Sequence, residues 1–308
     1  MCIRDRPDPS YINYQTRSPA TGRGRILLTI SNPTHARSLM EIALAIAKTE
    51  KYEIHCLQII SVPKYIYPAQ AKVDASDARH IMHRLERLGR KAQVSVHTQV
   101  RVANSIPTAI IETIQQEQIS LLITGWSGTN LSPENIFGGI VDTLMEKVPC
   151  DLIVLKLSSK TNSFPYLSSL PNHHKQPRRW LIPTAGGENT YKLIKFLPGL
   201  ASLDNSKNSP EINLCHVFRS FQNESSFRNL KKLSKEMVNQ TGLSISTLSI
   251  RDNSVPEAVM KLYQAHEYDF VILGGRNDDL LKNIMLGNIS KEIIRQIPTT
   301  IMIFRSSN

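Results

Sequence analysis

Four glycines lie between an apolar segment and a helical pattern in the first half of the chain, within the sequence TGWSGTNLSPENIFGG. They are Gly125, Gly128, Gly138 and Gly139. Because glycine has no Cβ, such positions can adopt a positive φ and let a ligand approach the main chain. Amide groups at the start of a helix near Gly138 would form a positive end suited to phosphate. The spacing predicts an anion-binding loop, with a purely structural turn as the alternative.

Other reactive residue types show no catalytic or metal-binding pattern. His80 and His83 have the i,i+3 spacing of a shared helical face, but Arg79 and Arg84 flank them and would repel a cation. This arrangement favours an exposed helix over a metal site. Ser127 does not lie in the Gly-x-Ser-x-Gly sequence of hydrolases. We therefore predict no catalytic residue and no metal ligand.

The composition is that of an ordinary globular protein, with 308 residues of which 41% are hydrophobic and 20% charged. No apolar run approaches the roughly 20 residues that span a bilayer. The net charge of +11 is distributed along the chain, and aromatic residues do not alternate with basic ones, so we predict no nucleic-acid partner. Cys56 and Cys215 lie in apolar runs, which predicts buried thiols in a reducing cytosol.

The chain contains an internal repeat. The segment ISLLITG before Gly125 matches YDFVILGG around Gly274, and the same offset of 149 residues relates Pro149 to Pro298. We therefore predict two copies of one domain, preceded by a disordered leader whose opening, MCIRDR, resembles translated adapter sequence. The predicted divisions are a leader at 1–24, a first domain at 25–157, a linker at 158–178 and a second domain at 179–308.

Within each copy, five short apolar runs alternate with amphipathic helical patterns. The predicted strands are 26–30, 53–60, 94–100, 119–124 and 151–156, then 180–184, 211–218, 244–250, 269–273 and 299–304. This alternation predicts an α/β fold with two doubly wound, five-stranded parallel sheets in tandem. Ligands bind such sheets at the carboxyl ends of the strands, where the strand order reverses. The last strand of each copy is apolar, so we expect the copies to pair through these strands, within one chain or as a homodimer.

The glycine motif resembles that of the universal stress protein family. Nucleotide-binding members carry Gly-x2-Gly-x9-Gly-(Ser/Thr) after the fourth strand, and here Gly139 stands where the family has the hydroxyl. The resemblance implies binding of ATP or another adenine nucleotide, with Mg²⁺ only as its companion. The implied binding residues are Ser31, Gly125, Gly128, Gly138, Gly139 and Ile140. Ser31 replaces the Asp that usually ends the first strand, which implies a weak or altered pocket.

The second copy departs further from the motif. Gly274 and Gly287 remain, but Asn277 replaces the second glycine, Asn288 the hydroxyl residue and Ala185 the first-strand Asp. Two aspartates follow Asn277, and their charge opposes phosphate binding. We predict a degenerate second site that binds no nucleotide.

The tandem arrangement most resembles the cytosolic module at the carboxyl end of cyanobacterial amino-acid permeases. The resemblance implies a non-enzymatic regulatory or stress-response module, cytoplasmic, at the inner face of the membrane if a transporter part precedes it. Its expected partner is a membrane transporter in cis or in trans. Two alternatives stay open: an interaction scaffold with no nucleotide in either copy, and a weak ATP hydrolase.

Overall fold

The computed structural model describes residues 11–15, 23–126, 138–157, 178–184, 188–203, 209–218, 225–275, 293–294 and 296–307. Its strands form one mixed sheet, in the order Tyr11–Gln15, Val96–Ala103, Tyr52–Ser61, Gly24–Thr29, Leu121–Trp126, Asp151–Lys156, Thr300–Arg305, Phe270–Gly275, Arg179–Pro183, Glu211–Phe218 and Ile245–Arg251. Most strands are apolar runs buried on both faces, as parallel sheets covered by helices require, whereas the strand Ile245–Arg251 has no buried residue.

The first copy forms a doubly wound half-sheet. Its elements are β2 (Gly24–Thr29), α1 (Ala36–Glu50), β3 (Tyr52–Ser61), α2 (Ser76–Ala92), β4 (Val96–Ala103), α3 (Ile106–Gln116), β5 (Leu121–Trp126), α4 (Gly139–Lys147) and β6 (Asp151–Lys156), with a short 3₁₀ helix at Pro68–Gln70. The strands are parallel, in the order β4-β3-β2-β5-β6. The order reverses between β2 and β5, as the sequence predicts.

The second copy has the same topology. Its elements are β7 (Arg179–Pro183), α5 (Glu188–Ile194), α6 (Leu197–Ala201), β8 (Glu211–Phe218), α7 (Ser225–Thr241), β9 (Ile245–Arg251), α8 (Val255–His266), β10 (Phe270–Gly275) and β11 (Thr300–Arg305). The order β9-β8-β7-β10-β11 repeats that of the first copy, and these strands are parallel too. The predicted tandem of doubly wound α/β units is therefore confirmed.

The two copies join edge to edge through β6 and β11, which pair antiparallel from Lys156–Ile301 to Leu152–Arg305. This is the predicted pairing of the last strands. Two long cations cross the junction in a reciprocal way. Lys156 Nζ donates to the carbonyls of Ile294 and Ile297 at 2.7 and 2.9 Å.

Arg305 makes the equivalent contacts in the opposite direction, since it follows Lys156 by the repeat offset of 149 residues. Its Nη2 donates to the carbonyls of Val148 and Cys150, just after α4, at 2.7 and 2.9 Å. Burial lowers the pKa of Lys156 and of Arg305, so both cations depend on these carbonyls to replace water.

Helices cover both faces of the sheet, in two layers that run across the junction. The apolar residues of α1, α2, α5, α6 and α7 belong to one core, and those of α3, α4 and α8 to the other. Where α1 meets α6, a Cβ on Gly199 would lie 2.9 Å from the Ala45 carbonyl oxygen. Only glycine permits so close an approach between the copies. Nearby, Lys195 Nζ donates to the Tyr52 hydroxyl at 2.7 Å.

The leader contains a strand that the sequence analysis missed. Residues Tyr11–Gln15 form β1, which pairs antiparallel with β4 from Tyr11–Val102 to Gln15–Gln99. The prediction of disorder is therefore wrong for this segment. Without β1, β4 would be the exposed edge of the sheet, and its unpaired main-chain groups provide the reason for a strand to add there. The other predicted domain boundaries stay predictions.

Candidate functional site

The crevice predicted for a ligand lies where β2 and β5 end side by side. Thr29 and Thr124 are paired in register at these ends, and both side chains are buried. The Thr29 hydroxyl donates to the Thr124 hydroxyl at 2.8 Å, which ties the two strand ends together. Sequence reasoning missed this pair, although a threonine at the same level of two apolar runs was a usable signal.

Ser31 lies two residues after the end of β2 and is exposed. The loop that holds it is organised by Asn32, whose Oδ1 accepts hydrogen bonds from the Thr34 amide at 2.9 Å and the Thr34 hydroxyl at 2.7 Å. This local turn leads into α1, and Ser31 lies just after the carboxyl end of β2. A hydroxyl at this position can donate or accept a hydrogen bond but supplies no charge.

Gly125 is half-buried near the end of β5. A Cβ there would approach Leu39 Cδ1 of α1 to 3.2 Å. This distance is tighter than ordinary van der Waals contact, so the glycine lets α1 lie close against the strand end. The structure thus gives Gly125 a packing role, which does not depend on a ligand.

Gly138 is the N-cap residue of α4 and has φ +92° and ψ 149°. Residues with a side chain rarely adopt this conformation, so glycine is required here. The N-cap supplies no side-chain hydrogen bond to the first turn of the helix. The first amides of α4 therefore have no side-chain acceptor from the N-cap, and the positive end of the helix is suited to an anion.

The next two positions leave the start of α4 accessible. A Cβ on Gly139 would meet no atom within 4 Å, and the Ile140 side chain is 42% exposed. The Thr143 hydroxyl donates to the Gly139 carbonyl at 2.6 Å, which fixes the first turn. Asp142 places a carboxylate in the same turn, and its charge opposes an anion bound there.

Ser31 follows β2, Gly125 lies near the end of the neighbouring strand β5, and α4 follows β5 in the chain. The structure therefore places these residues at the same edge of the sheet. Gly128 lies outside the described residues, as do Ala185, Asn277, Gly287 and Asn288 of the second copy. Gly274 is the counterpart of Gly125 and is exposed within β10.

In the second copy a histidine stands at the carboxyl end of β8. His216 is 9% exposed, and its Nδ1 lies 3.0 Å from the Thr184 carbonyl oxygen, so Nδ1 carries the proton. The Thr184 and Thr190 hydroxyls are 2.6 Å apart and hold the start of α5 against the strand end. At these strand ends of the second copy, His216, Thr184 and Thr190 are thus engaged in hydrogen bonds within the protein.

A buried polar cluster lies at the opposite ends of the first-copy strands. Arg25 Nε lies 3.4 Å from Glu53 Oε2 and Arg25 Nη1 3.3 Å from Glu117 Oε2. His97 Nε2 is 3.7 Å from the same Glu53 oxygen, and His55 stands beside His97 in the sheet. Burial lowers the pKa of His55 to about 4, against a smaller opposing effect of Glu117, so the imidazole is neutral at physiological pH.

The cysteines of the two copies are buried and unbonded, which confirms the prediction for Cys56 and Cys215. Burial raises the pKa of Cys150 and of Cys215 to about 12 and raises that of Cys56 as well, so the thiols stay protonated. Within the described ranges no three His, Cys, Asp or Glu side chains form a group that could hold a metal ion. The same ranges contain no helix both long and apolar enough to cross a bilayer.

Comparison with known proteins gives a family match for the first copy. Residues 22–156 match the model of the universal stress protein family. A universal stress protein of Archaeoglobus fulgidus DSM 4304 has a similar fold, with 13% identity, 92% of this chain and 97% of that chain covered, and a TM-score of 0.57. The predicted family resemblance is thus confirmed for the first copy, and the fold of the whole chain is that of two universal stress protein-like α/β units in tandem.

Two further matches come from transport proteins. The cytoplasmic domain of a prokaryotic cation chloride cotransporter has a similar fold, at 7% identity, with 92% of this chain and 96% of that chain covered and a TM-score of 0.58. The Na(+)/H(+) antiporter NhaS5 of Synechocystis sp. is 22% identical over 289 residues, which is 93% of this chain. The chain spans only 39% of the antiporter's length. Neither is an amino-acid permease, so that resemblance stays a prediction.

Proposed function

We propose that this chain is a cytoplasmic, non-enzymatic regulatory module of a membrane transporter, either as part of the same polypeptide or as a separate partner. The similarity to the antiporter carries the proposal, because it extends over 93% of the chain and thus includes both copies. The fold of the cotransporter's cytoplasmic domain supports it, since the similarity covers 96% of that domain and 92% of this chain.

The first copy is the proposed sensor, and an adenine nucleotide is the proposed ligand. The support is the start of α4, where Gly138 adopts a glycine-only conformation and Gly139 leaves open space. Phosphates would lie against the first amides of α4, with Mg²⁺ only as the companion of the nucleotide. Ser31 and Gly139 each lack a group that the family motif supplies, and each missing hydrogen bond weakens binding by about 1 kcal/mol. We therefore propose weak binding, suited to abundant nucleotides.

The signal would pass to the second copy along α4. The amino end of this helix is the proposed phosphate site, and the carbonyls just after its carboxyl end accept hydrogen bonds from Arg305 of the second copy. A phosphate that shifts α4 along its axis would change these two bonds. The buried guanidinium would then repack, and the junction between the copies would respond. A transporter bound to both copies could read this change.

Calorimetry with ATP and Mg²⁺ tests the sensor. Gly139→Ser restores the hydroxyl at an open position and should strengthen binding about fivefold, the equivalent of one hydrogen bond of about 1 kcal/mol. Gly139→Asp should abolish binding because it adds a second carboxylate beside Asp142. The matched control is Asn288→Ser at the repeat-equivalent position, where we expect no gain.

If neither the native chain nor Gly139→Ser binds, the chain is a scaffold. ATP decay faster than in buffer would instead support hydrolysis.

The link to a transporter has an independent test. The genomic DNA upstream of the codon for Pro7 should encode membrane-spanning segments in frame if the module and transporter form one polypeptide. A stop codon there would leave the module separate, and affinity purification should then recover a transporter with it. Absence of both results would contradict the transporter role without bearing on nucleotide binding.

A further inference from the structure

One helix of the first copy exposes a face made almost entirely of basic side chains. Seven exposed side chains of α2, five of them Arg or Lys and two of them His, form this face. At about 100° per residue along the helix, they occupy an arc of about 140°. The opposite side of the helix is buried in the core through Ala78, Met82, Leu85 and Gly89. The basic face of α2 consists of Arg79, His80, His83, Arg84, Arg87, Arg90 and Lys91.

The carboxylates near this face do not neutralise it. Glu86 is half-buried at its margin, where Oε1 accepts from the Thr98 hydroxyl at 2.7 Å and Oε2 lies 3.4 Å from His83 Nδ1. Arg79 interacts with Asp74 in the preceding turn. The other four permanent cations of the face form no ion pair with a carboxylate in the described part of the chain. The face therefore presents four cations without a direct ion pair within about two turns of helix, beside the carboxylates of Glu86 and of Asp77 in the first turn.

The equivalent helix of the second copy differs. In α7, four cations are exposed (Arg228, Lys231, Lys232 and Lys235), but Lys232 Nζ lies 3.9 Å from Glu236 Oε1, and Val238 is 37% exposed on the same helix. α2 packs over β4 and α7 over β9, near opposite ends of the sheet. At ~4.8 Å per strand the two helices are roughly 40 Å apart, several Debye lengths at physiological salt. The twist of the sheet also turns their outer faces in different directions. Charges this far apart are screened from one another, so the two helices act as separate electrostatic sites.

We propose that the basic face of α2 docks on the anionic surface of a lipid bilayer. The inference rests on the proposed function, because a transporter module works next to a membrane. Clusters of four to eight Lys and Arg residues on a helix suit anionic headgroups, whose phosphates accept paired hydrogen bonds from guanidinium groups. A nucleic-acid strand fits less well, since the face is the convex side of a helix and carries no Phe, Tyr or Trp side chain on which bases could stack.

The test is co-sedimentation of the full chain with vesicles. Vesicles of phosphatidylcholine and phosphatidylglycerol in equal parts should bind the chain, and vesicles of phosphatidylcholine alone should not. The variant Arg84→Gln/Arg87→Gln/Lys91→Gln should lose roughly 100-fold in partition coefficient, about fivefold for each charge. Glutamine favours helix and the positions are exposed, so circular dichroism and the melting temperature should stay unchanged.

The matched control removes the same charge from α7, as Arg228→Gln/Lys232→Gln/Lys235→Gln, and should bind anionic vesicles within twofold of the native chain. Equal losses in the two variants would mean attraction by net charge alone and would overturn the proposal. So would full binding by the α2 variant, or native binding to single-stranded RNA that exceeds vesicle binding at the same salt. Each result is independent of nucleotide calorimetry, so vesicle binding can fail while the sensor proposal holds, and the reverse.

Discussion

Replacement of His55 by asparagine should make the first copy resistant to mild acid. His55 and His97 are neighbours across β3 and β4, and both are nearly fully buried. The second copy has Asn213 and Ser246 at the equivalent paired positions, where the serine hydroxyl donates to the asparagine Oδ1. The second copy thus has two uncharged residues at the positions that His55 and His97 occupy in the first copy. His55→Asn introduces one of these two residues into the first copy.

The magnitude follows from the pKa of His55, which burial lowers from 6.5 to about 4. Glu117 raises this pKa, whereas the nearby His97 and Arg25 lower it, and none of these effects outweighs burial. Between the two pKa values the unfolded chain binds a proton that the folded chain does not. The contribution of His55 to the free energy of unfolding is therefore fully present above pH 6.5. It decreases by about 3 kcal/mol as the pH drops from 6.5 toward 4.

Urea unfolding at several pH values between 7 and 4 provides the measurement. Between pH 7 and pH 4, the unfolding free energy of the native chain should decrease by about 3 kcal/mol more than that of His55→Asn. The substitution is therefore expected to favour the variant at low pH. His80→Asn, which alters an exposed histidine of α2, should follow the native curve. Parallel curves for the native chain and His55→Asn would refute the reasoning, because His55 would then titrate alike in both states.

Three further substitutions test the junction and the start of α4. Gly199→Val should lower the melting temperature, with a cost of about 1–3 kcal/mol, because its Cβ would meet the main chain of Ala45; an unchanged melting temperature would show that the α1–α6 contact is looser. Lys156→Met should cost about 1–3 kcal/mol in urea unfolding, since it leaves the Ile297 carbonyl without its buried donor, and an unchanged midpoint would contradict this. Gly138→Ala should cost about 1–3 kcal/mol through its positive φ, so a native-like stability would argue against this conformation.

Local patterns predicted the strands well and their ends less well. The run at 94–100 is observed as Val96–Ala103, because polar residues within it are buried and the apolar pattern alone does not show where pairing stops. The joining of the copies was predictable, since an apolar strand at the end of each copy needs a partner. The leader strand was not, because Tyr11–Gln15 has little apolar pattern and its order depends on the open edge of β4.

The candidate site was predictable only in part. The glycine motif indicated the start of α4, and the structure gives Gly138 a conformation that requires glycine. The sequence could not show that Gly125 is also needed for the approach of Leu39, because this contact depends on how α1 packs. The Thr29–Thr124 hydrogen bond likewise needs two strands in register, 95 residues apart in the chain.

By itself, the order of residues determined the repeat, the alternation of strands and helices, and the apolar strands that join the copies. These features depend on side-chain polarity and short spacings, which are properties of neighbouring residues. Tertiary structure alone decided that Lys156 and Arg305 each donate hydrogen bonds to carbonyls of the other copy. It also decided that His55 is buried without charge and that β1 covers the open edge of β4. Each of these depends on distances between residues far apart in the chain, and only the folded arrangement of the sheet sets those distances.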